Sequence, residues 1–337
     1  MVTGSTSVDA RHVLVTGGAG YVGSVLVPKL LARGHRVSVI DLCLFGNSLE
    51  RIPDRSGLTL VKADIRDRQA VVAALAGCDS VIHLACISND PSFELDPELG
   101  RSINHDSFRP LVEASRQSGV DRFVFASSSS VYGVRDETDV TEEFAPRPLT
   151  DYSRYKALCE EILLEYQSDE FTTLILRPAT VCGYSPRLRL DLTVNILTNH
   201  AVNRGVITVF GGDQKRPNLH IEDMTDLYLN VLEESRSRIA GKVFNAGYQN
   251  HTVAELARIV KQTVDPERVR VVTTATDDHR SYHISSERIR RELGFVPRRS
   301  IEDAVADLKR AFDSGLVPDA MDDPVYYNVR QLKRMRP

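Results

Sequence analysis

Short β-branched runs recur along the first half of this chain, and each is followed by an amphipathic stretch. HVLVT (12–16), RVSVI (36–40), LTLVKA (58–63), SVIHLA (80–85), RFVFAS (122–127) and TTLILR (172–177) read as strands, with helical patterns at about 21–33, 67–75, 98–118 and 150–167. A strand that returns parallel to its predecessor needs a right-handed crossover, usually through a helix, so the alternation specifies an α/β architecture built on a parallel sheet. After about residue 178 the pattern loosens, and RPATVCGYSPRLRLD reads as a long loop of the kind that carries ligand contacts. VITVF (206–210), KVFNAG (242–247) and a helix from Thr252 to about Thr263 are expected to add partly to the sheet and partly to a smaller lobe.

The length of 337 residues exceeds one average domain and suits a large domain with a lobe attached. We expect a disordered segment over 1–10, a doubly wound domain over 11–178, and a second lobe over 179–337 that returns some segments to the sheet. The first ten residues lack the basic and apolar regions of a secretion signal, and no apolar run approaches the ~20 residues that span a bilayer. A cytoplasmic location with no membrane partner is therefore expected. A net charge of −4 gives no field that would gather nucleic acid, so a phosphorylated ligand must be held by local groups. The five cysteines (Cys43, Cys78, Cys86, Cys159 and Cys182) are scattered and free of any C-x-x-C or Cys/His cluster. Neither a disulfide framework nor a metal site is expected from that pattern, although Cys86 and Cys182 fall near segments that could meet a ligand.

HVLVTGGAGYVGSVL puts Gly17, Gly20 and Gly23 directly after an apolar strand and into the start of a helix. The backbone amides of that turn, Tyr21 and Val22 included, can face a diphosphate. Gly17 allows the tight turn, Gly20 lets the phosphate approach the chain, and Gly23 lets helix pack closely on strand. The second strand ends in Asp41, about twenty residues on, where a carboxylate can accept from both hydroxyls of a ribose. That acid repels a 2′-phosphate and no basic residue directly follows it in DLCLFGN, so NAD is favoured over NADP, with Arg51 as the one feature pulling the other way. Asp64 and Ile65 follow the third strand where the adenine edge would lie. The fold expected is a Rossmann-type doubly wound parallel sheet with a smaller C-terminal substrate-binding lobe.

DYSRYKALCEE contains Tyr152 and Lys156 four apart, so on a helix a phenol and an ammonium project from one face. The charge of Lys156 would stabilise the phenolate of Tyr152, which could take a proton from a substrate hydroxyl. Tyr155 falls off that face and reads as structural.

The G-x-x-G-x-x-G spacing with its acid resembles the extended short-chain dehydrogenase/reductase family, and the resemblance runs over nearly the whole chain. It implies an enzyme of nucleotide-activated sugars. It places Leu84 and Ala85 beside the cofactor, with Cys86 as a departure from the family's HLAA, and counts Asn104 of S-I-N with the cofactor site, fixing a helix beside the catalytic residues. The family's catalytic hydroxyl stands four positions before the tyrosine of V-Y-G, which is Ser128 in FASSSSVYG, although Ser127 or Ser129 would serve if the loop is shifted. Ser128 would orient the reacting oxygen and stabilise its charge. Ser129, Ser130 and Tyr132 are candidate substrate contacts.

Relatives that dehydrate a sugar carry an Asp-Glu pair where this chain has Ser129 and Ser130, which argues against a dehydratase. The remaining set resembles the UDP-glucose 4-epimerase type, which oxidises C4 to a transient keto sugar and returns the hydride. The chain departs from that type at Thr180, where an asparagine is usual, so a C4 dehydrogenase or a 4-keto reductase is the alternative and a non-catalytic NAD(P)-binding sensor a further one. Arg216, in ITVFGGDQKRPNLHIEDM, and Arg280, in DDHRSYH, resemble the arginines that grip the substrate diphosphate. His220 and Asp223 read as positioning that loop. The base is not readable. The family usually pairs the helices at 98–118 and 150–167 into a homodimer, and Leu111, Val112, Ala157, Leu158, Ile162 and Leu163 are compatible with such a seam.

Overall fold

The computed structural model describes residues 10–335 except 136, 138, 277–280 and 282. The expectation for the first ten residues therefore lies, apart from Ala10, outside the described residues. Seven strands form the main sheet: β1 His12–Thr16, β2 Arg36–Asp41, β3 Leu58–Lys62, β4 Ser80–His83, β5 Arg122–Ala126, β6 Thr172–Pro178 and, much later, β10 Lys242–Ala246. Their order is β10-β6-β5-β4-β1-β2-β3, and every pairing is parallel. The chain winds from β1 out to β3 and then places β4 on the other side of β1. The carboxyl ends of β1 and β4 therefore border the switch point, where doubly wound sheets leave a crevice.

Side chains alternate across this sheet. Val13 and Val15 join one apolar layer with Val124 and Leu174, whereas Leu14 joins the other with Phe123, Phe125 and Ile175. Covered on both faces, the strands had to be almost continuously apolar, which is why they stand out in the sequence.

Six helices accompany the first six strands: α1 Gly23–Ala32, α2 Arg68–Ala74, α3 Asp90–Phe93, α4 Pro97–Arg101, α5 Phe108–Gln117 and α6 Asp151–Glu165. The single helix expected over 98–118 is divided, because a π-helical turn over Ser102–Asp106 separates α4 from α5. Such a turn carries an extra residue and re-aims what it presents. At α6 a capping box closes the N-terminus, with Thr150 Oγ1 accepting from the Ser153 amide and Ser153 Oγ from the Thr150 amide. The Thr150 hydroxyl also donates to Asp90 Oδ1 at 2.6 Å, which fixes the start of α6 against α3.

The second half supplies β7 Thr180–Cys182, β8 Val206–Phe210, β9 Lys215–His220, β11 Gln249–Thr252 and β12 Arg270–Thr274. Its helices are α7 Thr193–Arg204, α8 Ile221–Glu233, α9 Arg236–Ile239, α10 Val253–Val264, α11 Glu287–Leu293, α12 Ile301–Asp313 and α13 Asn328–Met335. β9 lies between β11 and β7, and β8 pairs with β12. VITVF thus joins a small sheet while KVFNA completes the edge of the large one. The segment that read as loop contains β7, whose hydrogen-bonding partner β9 is remote in sequence. Helices α7, α10 and α12 enclose a core of their own that includes Val194, Leu197, Leu256, Val260 and Ala304. Among the described residues no helix is long and apolar enough to cross a membrane.

Candidate active site

The site begins where β1 turns into α1. Gly17 has φ +71°, a conformation that side chains rarely adopt, and an added Cβ would stand 2.7 Å from the Ala85 amide nitrogen. A Cβ on Gly23 would run into the Gly18 carbonyl, so α1 starts against the strand only because that position is bare. Asp41, at the end of β2, accepts from the Ala19 amide at 3.0 Å and the Cys43 amide at 2.7 Å. Burial raises its carboxyl above the ordinary range. A carboxylate in that setting gains from further donors such as ribose hydroxyls.

A cavity runs from this turn to α6. Gly17, Gly20, Tyr21, Val22, Gly23 and Asp41 line one end of it, Asp64, Ile65, Leu84 and Ala85 follow, and Tyr152 and Lys156 stand at the other side. The bare turn and the buried carboxylate are what a dinucleotide diphosphate and ribose need, so the residues present fit NAD. Cys86 lines the same cavity. Cys182 does not; its thiol is buried and pushed up to about 12. Arg51 also stands off the cavity wall.

Lys156 Nζ donates to the Ala126 carbonyl at 2.6 Å and lies 5.9 Å from the centre of the Tyr152 ring. The floor beneath it is apolar. His83 is packed on Phe108 and Phe125, bonded to Thr16 Oγ1 at 2.7 Å, and driven by burial down to about 3, so it is a neutral structural ring.

The four serines have different partners. The Ser127 hydroxyl donates to Glu160, which also accepts from Arg177 Nε at 3.0 Å and Nη2 at 2.5 Å. Arg177 Nη1 in turn donates to Tyr132 Oη at 2.8 Å, and that hydroxyl donates to Asn245 at 2.7 Å. Tyr132 is therefore buried in a structural network, which corrects its reading as a substrate contact. Ser128 Oγ caps the short turn Ser129–Tyr132 and accepts from the amide and hydroxyl of Ser130 at 3.1 and 2.8 Å. Ser129 Oγ is buried with no hydrogen-bond partner among the described residues. Ala126 and Ser127 are the residues of this segment that reach the cavity wall, with Ser128 adjoining them.

Asn104 stands off the cavity, and its amide is spent on the backbone of Ile87, accepting at 2.8 Å and donating at 2.9 Å. It holds the segment beyond β4, which lines the cavity, rather than lining it itself. Thr180 and Arg216 lie on β7 and β9 of the three-stranded sheet, outside the cavity lining as are Ser129 and Ser130. Arg280 lies outside the described residues. His220 caps α8 by accepting from the Glu222 amide, and Asp223 accepts from the amides of Arg298 and Arg299, so both hold the backbone. Tyr155 packs on Phe93 and His105, away from the cavity.

Sequence reasoning missed Arg187, Arg189, Met224, Tyr228 and Asn328, which also line the cavity. Arg189 is buried, pairs with Asp191 at 3.0 Å, donates to Ser88 Oγ at 3.0 Å and lies within electrostatic reach of Tyr152. The alternation in PRLRLD was a usable signal, since alternate residues of an extended segment share a side. Asn328 gave none.

Residues 13–247 match the model of the NAD dependent epimerase/dehydratase family. An uncharacterised protein of Sinorhizobium fredii is 34% identical over 255 residues, spanning 74% of this chain and 60% of that protein. The UDP-glucose 4-epimerase of Bacillus subtilis is 28% identical over 321 residues, 88% of this chain and 95% of the epimerase. The structure of the Thermus thermophilus UDP-glucose 4-epimerase in complex with NAD superposes with a TM-score of 0.78 at 26% identity, covering 90% of this chain and 99% of that one. The family match extends from β1 to just beyond β10, across the main sheet and every catalytic candidate, and the chain belongs to the NAD-dependent epimerase/dehydratase family.

Proposed function

We propose that this chain is an NAD-dependent epimerase of nucleotide-activated sugars, which oxidises the sugar at C4 and reduces the keto sugar from the other face. The observation that carries this reading is that Tyr152 and Lys156 project from one face of α6 into the cavity whose other end is the glycine turn and Asp41. NAD, when bound, takes up the hydride and gives it back. The protein supplies the proton chemistry. Tyr152, as phenolate stabilised by the Lys156 charge, removes the proton of the C4 hydroxyl and returns one at the end. Ser128, next in sequence to Ser127 of the cavity wall, would donate to the same oxygen and offset its developing charge. The Asp-Glu pair of dehydratases has no counterpart at Ser129 and Ser130, since one hydroxyl is buried and the other is bonded to Ser128.

The lobe built from residues 179–337 would hold the nucleotide sugar, with Arg216 and Arg280 as contacts of its diphosphate and Thr180 as a further substrate contact. A cytoplasmic setting accords with five unpaired cysteines. We also infer a homodimer through α5 and α6. Leu111, Val112, Ala157 and Leu163 belong to the chain's own core, and Ile162 packs against it, so of the residues compatible with a seam Leu158 would be left to it. A monomeric mass by light scattering at micromolar concentration would remove the dimer.

The test of function is incubation with NAD and a panel of UDP-, dTDP-, GDP- and ADP-sugars, read by absorbance at 340 nm and by NMR of the product. Inversion at C4 without net NADH is the expected result. Accumulating NADH with a keto sugar would make the chain a dehydrogenase instead.

A further inference from the structure

The cavity wall carries a buried cation that no carboxylate pairs with directly among the described residues. Arg187 is 5% exposed, lines the cavity, and makes no salt bridge with a carboxylate among the described residues. Its guanidinium lies 3.8 Å above the Phe45 ring, Nη2 donates to Asn328 Oδ1 at 2.6 Å, and Nη1 reaches the Leu188 carbonyl only at 3.5 Å. Nε is buried with no partner. The neighbouring charges relieve it only in part: Asp191 and Asp41 attract it, but Asp191 is paired with Arg189, Arg189 repels it, and Asp41 is bonded to two backbone amides. Burial pushes the guanidinium down to about 9, which still leaves it charged at neutral pH. A buried ion of this kind is retained at a cost unless something anionic joins it.

The geometry says where that anion lies. The segment carrying Arg187 is clamped onto the start of α1. Tyr21 Oη donates to the Gly183 carbonyl at 2.7 Å, Ser185 Oγ donates to the Tyr21 carbonyl at 2.7 Å, and Asn195 Nδ2 bonds both Tyr21 Oη and the Arg189 carbonyl. Arg187 is thereby held beside the turn at the start of α1, where the positive end of the helix dipole favours phosphate. We propose that Arg187 is a ligand of the cofactor diphosphate, closing on it from the side opposite the glycine turn while Asn328 of α13 holds the guanidinium fork in place. A phosphate oxygen would take the weakly used Nη1, on the end of the guanidinium beside the Nη2 that Asn328 holds. The contact adds a tie between the cofactor and α13, whose Asn328 and Leu332 also line the cavity. This inference rests on NAD as the cofactor.

Calorimetric titration of the full chain, freed of carried-through nucleotide, with NAD, ADP-ribose, NADP and adenosine tests it. Arg187→Met should weaken NAD and ADP-ribose alike by about 10- to 100-fold, the loss of a charged hydrogen-bonding group, and leave adenosine unchanged. Arg187→Lys should fall between, and Asn328→Ala should weaken both diphosphates several-fold. Without ligand, Arg187→Met should melt no lower than the parent, because an uncompensated charge has been removed, while its NAD-induced rise in Tm shrinks. Unchanged NAD affinity in both Arg187 variants overturns the proposal, and so does a loss confined to NADP, which would assign the guanidinium to a 2′-phosphate. Failure of the parent chain to bind NAD overturns the cofactor reading itself. If the Met variant does not fold, the Lys and Asn328 variants carry the same comparison.

Discussion

Tyr152, Lys156 and Glu160 form one polar stripe on α6, each a turn beyond the last, yet the first two residues line the cavity and the third does not. Glu160 is instead enclosed by Arg177 and Ser127, 4% exposed, in a network that ends on Asn245 of the edge strand β10. What differs is the surface each turn meets. The first two turns line the crevice, and the third meets Ser127 just past β5 and Arg177 near the end of β6, a buried setting where a charge is tolerable only when paired and fully hydrogen-bonded. Spacing makes these residues equivalent, and the opposing element divides them into chemistry and scaffold.

The strongest way to break that division is at its ends. Tyr152→Phe should lower kcat by about 1000-fold while the affinity for NAD, measured by titration, and the melting temperature stay near the parent's. A large drop in Tm would instead put Tyr152 on the scaffold side. Glu160→Gln should do the reverse. Leaving Arg177 without its carboxylate should cost about 3 kcal/mol in denaturant unfolding, with kcat per folded molecule little changed. If kcat fell with stability intact, Glu160 would belong to the reacting group.

The serines sharpen the same comparison at neighbouring positions. Ser128→Ala should reduce kcat by about 100-fold with little effect on unfolding. Ser127→Ala should cost about 1.5 kcal/mol of stability, the worth of a hydrogen bond to a charged group, with the smaller kinetic effect. Exchange of those two outcomes would move the catalytic hydroxyl to Ser127.

The smallest effect concerns the scaffold behind Lys156. Burial lowers His83 from its ordinary 6.5 to about 3, so below 6.5 the unfolded chain takes up a proton that the folded chain refuses. The stability that neutral His83 permits is full above that value and is lost as pH falls toward 3. At pH 5.5 its share of the loss is ~1.4 kcal/mol relative to pH 7.5. Urea titrations of the parent and His83→Gln at the two values should differ by that amount. An equal pH response in both would show that His83 does not carry it.

The features most legible in the sequence are those fixed by local spacing or by burial of a whole run. The strands of the main sheet, the bends at Gly17 and Gly23, the acid at the end of β2 and the phenol–ammonium pair of α6 all depend on neighbours within a few residues or on burial of a whole run. The seven-strand order places those local features around one crevice, so most of the cofactor set lay together once the fold was right. Asn104 was legible as a residue but not in its way of acting, because the π turn that aims it at Ile87 has no strong signature.

The far wall was less legible for a physical reason. Arg187, Arg189 and Asn328 draw their meaning from partners remote in the chain, as in the bonds from Arg187 to Asn328 and from Arg189 to Ser88. No periodicity encodes such a pairing. The assignment of serines was likewise open, since four identical residues in a row differ only in what stands opposite them. The sequence by itself determined the parallel sheet, the dinucleotide turn and the pair on α6, because these follow from residue conformational preference and from spacing along one element. Tertiary structure decided which serine is spent on Glu160 and which cation on the cavity wall is left without a carboxylate in a salt bridge, because burial and charge compensation are properties of elements brought together rather than of any one of them.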